Sequence, residues 1–239
     1  LEIGVERVAA VLERMGTIRE MQPLPSLLLG AVEMTPYEVA GVYATLASGG
    51  FRSPLRAVRE VAGPGGEPLS RYPIEVEQAF AAGDVYQLNR GLVQVMTRGT
   101  GRTAAARLPS GKVTAGKTGT SDEFRDSWFA GFDSDNLAVV WLGNDDNSPI
   151  GLSGGRGALP IWADIMAGLD GSGLLNVPPP GIADAWVDYA TGEMVTDGCG
   201  DGVLLGLPED TRLPVMAGCG LEKKSIGETV KDWLRRLGN

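Results

Sequence analysis

Histidine is absent from this 239-residue sequence. That absence excludes a Ser-His-Asp triad, a histidine general base and nearly every zinc site, since each depends on an imidazole. Cysteine is almost as scarce. The sequence has two, Cys199 and Cys219, both in glycine-rich stretches (DGCGDG and AGCGLE). Two cysteines without further ligands do not hold a structural zinc, so no metal site is expected. They are either free thiols of a reducing compartment or a disulfide closing a loop of about twenty residues, a closure worth roughly 3 kcal/mol in the chain-entropy description. The disulfide is the favoured reading, and it goes with an oxidising, extracytoplasmic compartment.

Positive charge is also in short supply. Lys and Arg total 21 against 30 Asp and Glu, for a net charge of −9, and the basic residues are scattered apart from Lys223-Lys224 and Arg235-Arg236. Phosphate binding needs a clustered cationic face, so no nucleic-acid partner is expected and the acidic balance reads as a solubilising surface. No apolar run is long enough to span a bilayer, and no secretory signal is visible. The opening LEIGVERVAAVLERMG lacks an initiator Met and enters a helix at once, like the middle of a domain.

The composition that remains is globular. Hydrophobic residues make up 43% and charged residues 21%, while 35 Gly and 15 Pro imply many turns. Val5, Val8, Leu12 and Met15 mark an amphipathic helix stopped by Gly16, and a proline-bearing loop, MQPLPSLLLGA, follows. Thr35-Pro36-Tyr37-Glu38 combines an N-cap, a Pro at the first helical position and a Glu three residues on, with Val39, Val42, Tyr43 and Leu46 as the buried stripe. Residues 51–75 read as a hairpin about Pro64-Gly65-Gly66. Asp84 is expected to cap a helix with Val85, Leu88, Leu92 and Met96 on one face, ending at Arg98-Gly99-Thr100-Gly101. VTAGKTGT, DSWFAGF and NLAVVWLGN then read as three successive antiparallel strands, since connections this short permit little else. Residues 158–169 form a helix.

After Pro178-Pro179-Pro180 the composition changes. IADAWVDYATGEMVTD reads as two short strands around Ala190-Thr191-Gly192, and Ser225-Ile226-Gly227-Glu228 opens a final helix striped by Val230, Trp233, Leu234 and Leu237. Residues 1–177 are therefore taken as the main layered structure and 178–239 as a small β-rich C-terminal appendage.

Without histidine, acid–base work falls to Lys, Tyr, Asp or Glu. On one expected strand, Lys117-Thr118-Gly119-Thr120 puts Lys117 and Gly119 on one face and the hydroxyls of Thr118 and Thr120 on the other. The two hydroxyls suit a carboxylate, Lys117 sets a positive field, and Gly119 lets a ligand backbone approach an edge closely. Four residues recur by chance, so the context decides. A lysine-threonine-glycine strand is one of three motifs of the penicillin-binding proteins, beside a serine-x-x-lysine and a serine-x-asparagine.

The stretches LLGAVEMTPYEVAGVYATLASGGFRSPLRAVREV and VMTRGTGRTAAARLPSGKVTAGKTGTSDEFRDSWFAGF, with AVVWLGNDDN and GALPIWADIM, resemble the transpeptidase domain of class A penicillin-binding proteins. The resemblance runs from about residue 1 to residue 200 and weakens in the appendage. It implies an α+β fold of the penicilloyl-serine transferase kind, a five-stranded antiparallel sheet flanked by helices. It implies an acylating serine that attacks the D-Ala–D-Ala amide of a peptidoglycan stem peptide. Lys117 would then serve proton transfer and the local field, the hydroxyls of Thr118 and Thr120 would hold the donor's terminal carboxylate, Gly119 would let the substrate backbone approach, and the Thr120 amide would form half of the oxyanion hole. Stem peptides and β-lactams are the implied ligands, with no cofactor. The periplasmic face of a bacterial inner membrane is the implied location, with a glycosyltransferase domain and membrane anchor upstream.

The pattern departs from the family in one respect. No serine is followed three residues later by lysine, and Ser110-Gly111-Lys112 is one residue too short. Ser134-Asp135-Asn136 matches serine-x-asparagine literally but follows the lysine-threonine-glycine strand, where the family places it before, and reads as turn chemistry. The nucleophile is therefore expected outside this chain, which alone would not form a penicillin adduct. A serine β-lactamase or D,D-carboxypeptidase, a non-catalytic β-lactam sensor, and an appendage that docks regulators or a second copy are the competing readings.

Overall fold

The computed structural model describes residues 3–175 and 177–219, so the helix expected from Ser225 onward lies outside the described residues. Helix α1 (Val5–Met15) is closed by Gly16 in the left-handed conformation. The proline-bearing loop after it winds a 3-10 turn over Pro25–Leu29 that buries Leu27. Helix α2 (Pro36–Ala47) has both halves of its capping box. The Thr35 hydroxyl accepts the Glu38 amide at 3.2 Å, and the Glu38 carboxylate accepts the Thr35 amide at 2.9 Å. Arg19 closes the arrangement on the same carboxylate at 2.9 and 3.0 Å. Glu38 is 2% exposed, a burial tolerable for a carboxylate because its lone pairs are filled.

Strands β1 (Phe51–Arg52), β2 (Glu60–Ala62), β3 (Pro68–Arg71) and β4 (Glu77–Gln78) build the expected hairpin from β2 and β3, with β1 paired to β4 at its base. Helix α3 (Ala82–Thr97) begins before Asp84. Its N-cap is Ala81, so Asp84 sits in the first turn, where the positive helix end favours a carboxylate, rather than at the cap. Leu88 is exposed, because the buried face runs through Val85, Arg90, Val93 and Met96.

The central sheet is β5 (Ala115–Thr120), β6 (Ser127–Phe132) and β7 (Leu137–Leu142), antiparallel in that order, so the described residues show three strands where the resemblance implies five. Helices α2 and α3, with Met15 at the end of α1, cover one face, packing Met15, Val42, Val85 and Val93 against Ala115 and Phe132 of the sheet. Helix α4 (Ala158–Gly168) covers the other. There Trp162, fully buried, lies 4.7 Å from the Phe129 ring and donates its indole N–H to the Gly131 carbonyl at 3.2 Å. Truncating either ring would remove about 3–5 kcal/mol, the usual range for a buried aromatic.

At the far end of the sheet, Lys112 and Asp133 form a buried ion pair of 2.8 Å. Burial alone would raise the Asp133 carboxyl, but Lys112 and the amides of Asp135 and Asn136 hold it below the ordinary aspartate range.

Strand β8 (Ile182–Asp188) pairs over its whole length with β9 (Gly202–Pro208). This corrects the expected strand after Gly192, where only two isolated bridges form, Val187 to Met194 and Met194 to Val215. Seven residues of β8 need a partner of matching length, and GVLLGLP supplies it with apolar side chains for Ala183, Ala185 and Val187. Cys199 and Cys219 are joined as a disulfide, with Cα atoms 6.0 Å apart. The pair β8–β9 docks on α3. Tyr86 donates to Asp184 at 2.9 Å, Gln94 donates to the Leu204 carbonyl at 3.2 Å, and the buried Arg90 faces Asp184 at 3.5 Å. Among the described residues no helix is long and apolar enough to cross a membrane.

Candidate active site

Lys117, Thr118, Gly119 and Thr120 lie along β5, an edge strand of the central sheet among the described residues. Register fixes their faces. Thr118 and Thr120 stand opposite Phe129 and Ser127, on the α4 side, while Lys117 and Gly119 stand opposite Ala130 and Trp128. Lys117 is exposed and curls along the strand edge, its ammonium 3.0 Å from the Thr118 carbonyl. Among the described residues it makes no ion pair, which leaves its charge to the solvent side of the edge.

Residues two apart on a strand are separated by roughly 7 Å, and a carboxylate accepting at about 2.7 Å on each oxygen spans such a gap. Each hydroxyl also has a partner within the chain. Thr118 Oγ1 lies 2.7 Å from Thr100 Oγ1, and Thr120 Oγ1 accepts the Gly154 amide at 2.9 Å. Gly154 itself is pressed against the sheet. A Cβ there would stand 2.5 Å from the Gly119 carbonyl oxygen and 2.6 Å from that of Trp128. Beyond Thr120 the chain turns through Glu123 and Phe124 at φ 58° and 56°, and the Phe124 carbonyl accepts the Ile150 amide at 2.9 Å. Left-handed backbone at two non-glycine residues costs of order 1 kcal/mol each and holds the lip of the site in one shape.

The four expected residues are consecutive on β5, and the other two candidate motif segments lie elsewhere. Ser134-Asp135-Asn136 is the turn between β6 and β7, next to the Ala115 end of β5. Its polar atoms are used locally. Ser134 donates to the Gly173 carbonyl at 2.7 Å, and Asn136 donates to that of Asp170 at 2.8 Å. Lys112 of Ser110-Gly111-Lys112 is consumed by Asp133. The contacts of Thr100 and Gly154 with this strand are not legible in the sequence, because Gly99-Thr100-Gly101 reads as a helix stop and Ser153-Gly154-Gly155 as an ordinary loop.

Comparison with known proteins identifies the family. The family described as "Penicillin binding protein transpeptidase domain" matches residues 18–167. Penicillin-binding protein 1B of Escherichia coli is 38% identical over 190 residues, covering 79% of this chain and 22% of its own length. Penicillin-binding protein 1A of Aquifex aeolicus is 34% identical over 167 residues, 69% of this chain and 22% of that protein. The chain thus spans between about a fifth and a third of the length of the curated relatives it matches. The crystal structure of penicillin-binding protein 1A from Haemophilus influenzae superposes with a TM-score of 0.76 at 21% identity, over 90% of this chain and 38% of that one. The ceftriaxone acyl-enzyme complex of penicillin-binding protein A from Mycobacterium tuberculosis superposes with a TM-score of 0.55 at 23% identity, over 69% of this chain and 43% of that one.

Proposed function

The chain belongs to the penicillin-binding protein transpeptidase family, and from that membership we propose that it supplies the carboxylate-binding strand of a peptidoglycan D,D-transpeptidase. The observation that carries the reading is the pair of hydroxyls, Thr118 and Thr120, on one face of an edge strand, with the cation of Lys117 at the same edge and in no ion pair among the described residues. A donor stem ending in D-Ala–D-Ala lies along the free edge of β5 as an added strand would. Its terminal carboxylate accepts from Thr118 and Thr120. Lys117 makes the potential at that carboxylate more positive, and the Thr120 amide faces the developing oxyanion, where loss of one donor typically raises the barrier by about 3–4 kcal/mol.

The nucleophile comes from outside these 239 residues, since they contain no serine-x-x-lysine. Its oxygen bonds to the carbonyl carbon of the penultimate D-Ala as the C–N bond breaks, and the terminal D-Ala leaves as the amine with the serine's proton. An amine of a neighbouring stem then takes the acyl group and returns a proton to the serine. A β-lactam follows the first half of this course and stops there. The Cys199–Cys219 disulfide supports a periplasmic setting.

Labelling with a fluorescent penicillin tests the reading in two arms. The 239-residue chain alone is expected to stay unlabelled, whereas the full-length protein carrying it labels stoichiometrically. The full-length protein is then expected to join stem peptides. Release of D-alanine without cross-links would make it a carboxypeptidase, hydrolysis of the penicillin a β-lactamase, and acylation without either activity a sensor.

A further inference from the structure

We propose that Thr100 is a positioning residue of the carboxylate clamp, acting through Thr118; the inference rests on the transpeptidase reading above. Helix α3 ends at Thr97, and the chain turns back sharply. The Gly99 amide donates to the Gln94 carbonyl at 3.1 Å and the Gly101 amide to that of Val95 at 3.0 Å. Both flanking glycines are closely packed. A Cβ on Gly99 would stand 2.9 Å from the Val95 Cα, and one on Gly101 would stand 2.6 Å from the Met96 sulfur. This turn carries Thr100 to the edge of β5, where its hydroxyl meets Thr118 at 2.7 Å.

The consequence is directional. A hydroxyl has one proton to give, and a carboxylate can only accept. The Gly154 amide fills an acceptor position on Thr120 at 2.9 Å, which leaves the Thr120 proton to point at an anion. Either hydroxyl of the Thr100–Thr118 pair can donate, so Thr100 can do the same for Thr118. When a carboxylate takes the Thr118 proton, Thr100 donates to the Thr118 oxygen, and the two bonds polarise one another in series. Without Thr100 the Thr118 hydroxyl rotates freely and its oxygen must find water. One loop from α3 and one from before α4 thus orient the two hydroxyls in the same sense.

The test uses the full-length protein and two probes, benzylpenicillin, which carries a free carboxylate, and its methyl ester, which does not. Thr100→Val is expected to slow acylation by benzylpenicillin about tenfold, the size of one lost charge-assisted hydrogen bond, and to change acylation by the ester less than twofold. Thr100→Ser, which keeps the hydroxyl, restores the rate. Thr118→Val and the double variant behave alike, because Thr100 has nothing to act on once Thr118 is gone. Equal slowing with both probes, in a Thr100→Val protein that melts as the wild type does, would reduce Thr100 to a structural residue and sink the inference. So would unchanged labelling, or failure of the serine variant to rescue. A wild-type protein that takes up neither probe removes the transpeptidase reading itself, a result distinct from any of these.

Discussion

The hydroxyl of Ser127 accepts the amide of Ala158 at 2.9 Å, and both residues are fully buried. The same hydroxyl donates to the Ser153 carbonyl at 3.0 Å. Helix α4 has no cap from its own N-cap residue, Gly157, so a strand residue provides it. A side chain at 157 would stand 2.5 Å from that oxygen, which accounts for the glycine. Ser127→Ala leaves the Ala158 amide buried without a partner, and the stability measured by urea denaturation is expected to fall by about 1–3 kcal/mol. Because Ser127 also holds the loop that carries Gly154, penicillin acylation of the full-length protein should slow with it.

Much of this fold is written locally and so could be read from sequence. The capping box of Thr35 and Glu38 is complete within four residues, and β5 to β7 are joined by turns too short for any arrangement but neighbours. The failures are tertiary. Alternation shows that Ile182–Asp188 is a strand but not that its partner is Gly202–Pro208 rather than the segment just after Gly192. Lys117 to Thr120 stood out because their chemistry is concentrated in one strand. Thr100 and Gly154 reach that chemistry from 18 and 34 residues away, and no periodicity reports that approach.

Gly154 has a stricter requirement than a flexible loop would impose. Its absent side chain would point at the Gly119 and Trp128 carbonyl oxygens at 2.5 and 2.6 Å, and these are backbone atoms of paired strands that cannot swing aside. Gly154→Ala is expected to destabilise the protein by about 1–3 kcal/mol, the usual effect of overpacking. It should also move the amide off Thr120 and slow acylation more than the stability change accounts for. Thermal melts paired with penicillin labelling of the folded fraction separate the two effects. A variant that labels at the wild-type rate would mean that the Gly154 amide does not hold Thr120 in the working site.

Disulfide reduction should loosen the appendage first. Cys199 and Cys219 are 20 residues apart and close the loop that contains β9, with the Cys219 carbonyl accepting from Thr196 at 3.2 Å. A loop of this length contributes roughly 3 kcal/mol through the unfolded chain. The double variant Cys199→Ser and Cys219→Ser is therefore expected to lower stability by about that amount and to raise amide exchange in β8 and β9 above that in β5 to β7. Uniform exchange across both sheets would show that the appendage opens only with the whole molecule.

The acid limb of stability should be shaped by Glu38. The Thr35 amide, then Arg19, hold its carboxyl down to about 2 from an ordinary 4.5, against the opposing effect of burial. A carboxyl lowered on folding adds stability above its unfolded value and surrenders it as protons bind the unfolded chain more tightly than the native one. The contribution is thus whole above about pH 4.5 and falls away toward pH 2. Glu38→Gln keeps an acceptor for the Thr35 amide and loses the ion pair with Arg19, so it should be less stable than wild type at neutral pH. Its unfolding free energy should also be flatter through the acid window, and the two curves should converge near pH 2. Parallel curves there would mean that the capping box is stabilised by geometry alone and that the charge on Glu38 contributes nothing to it.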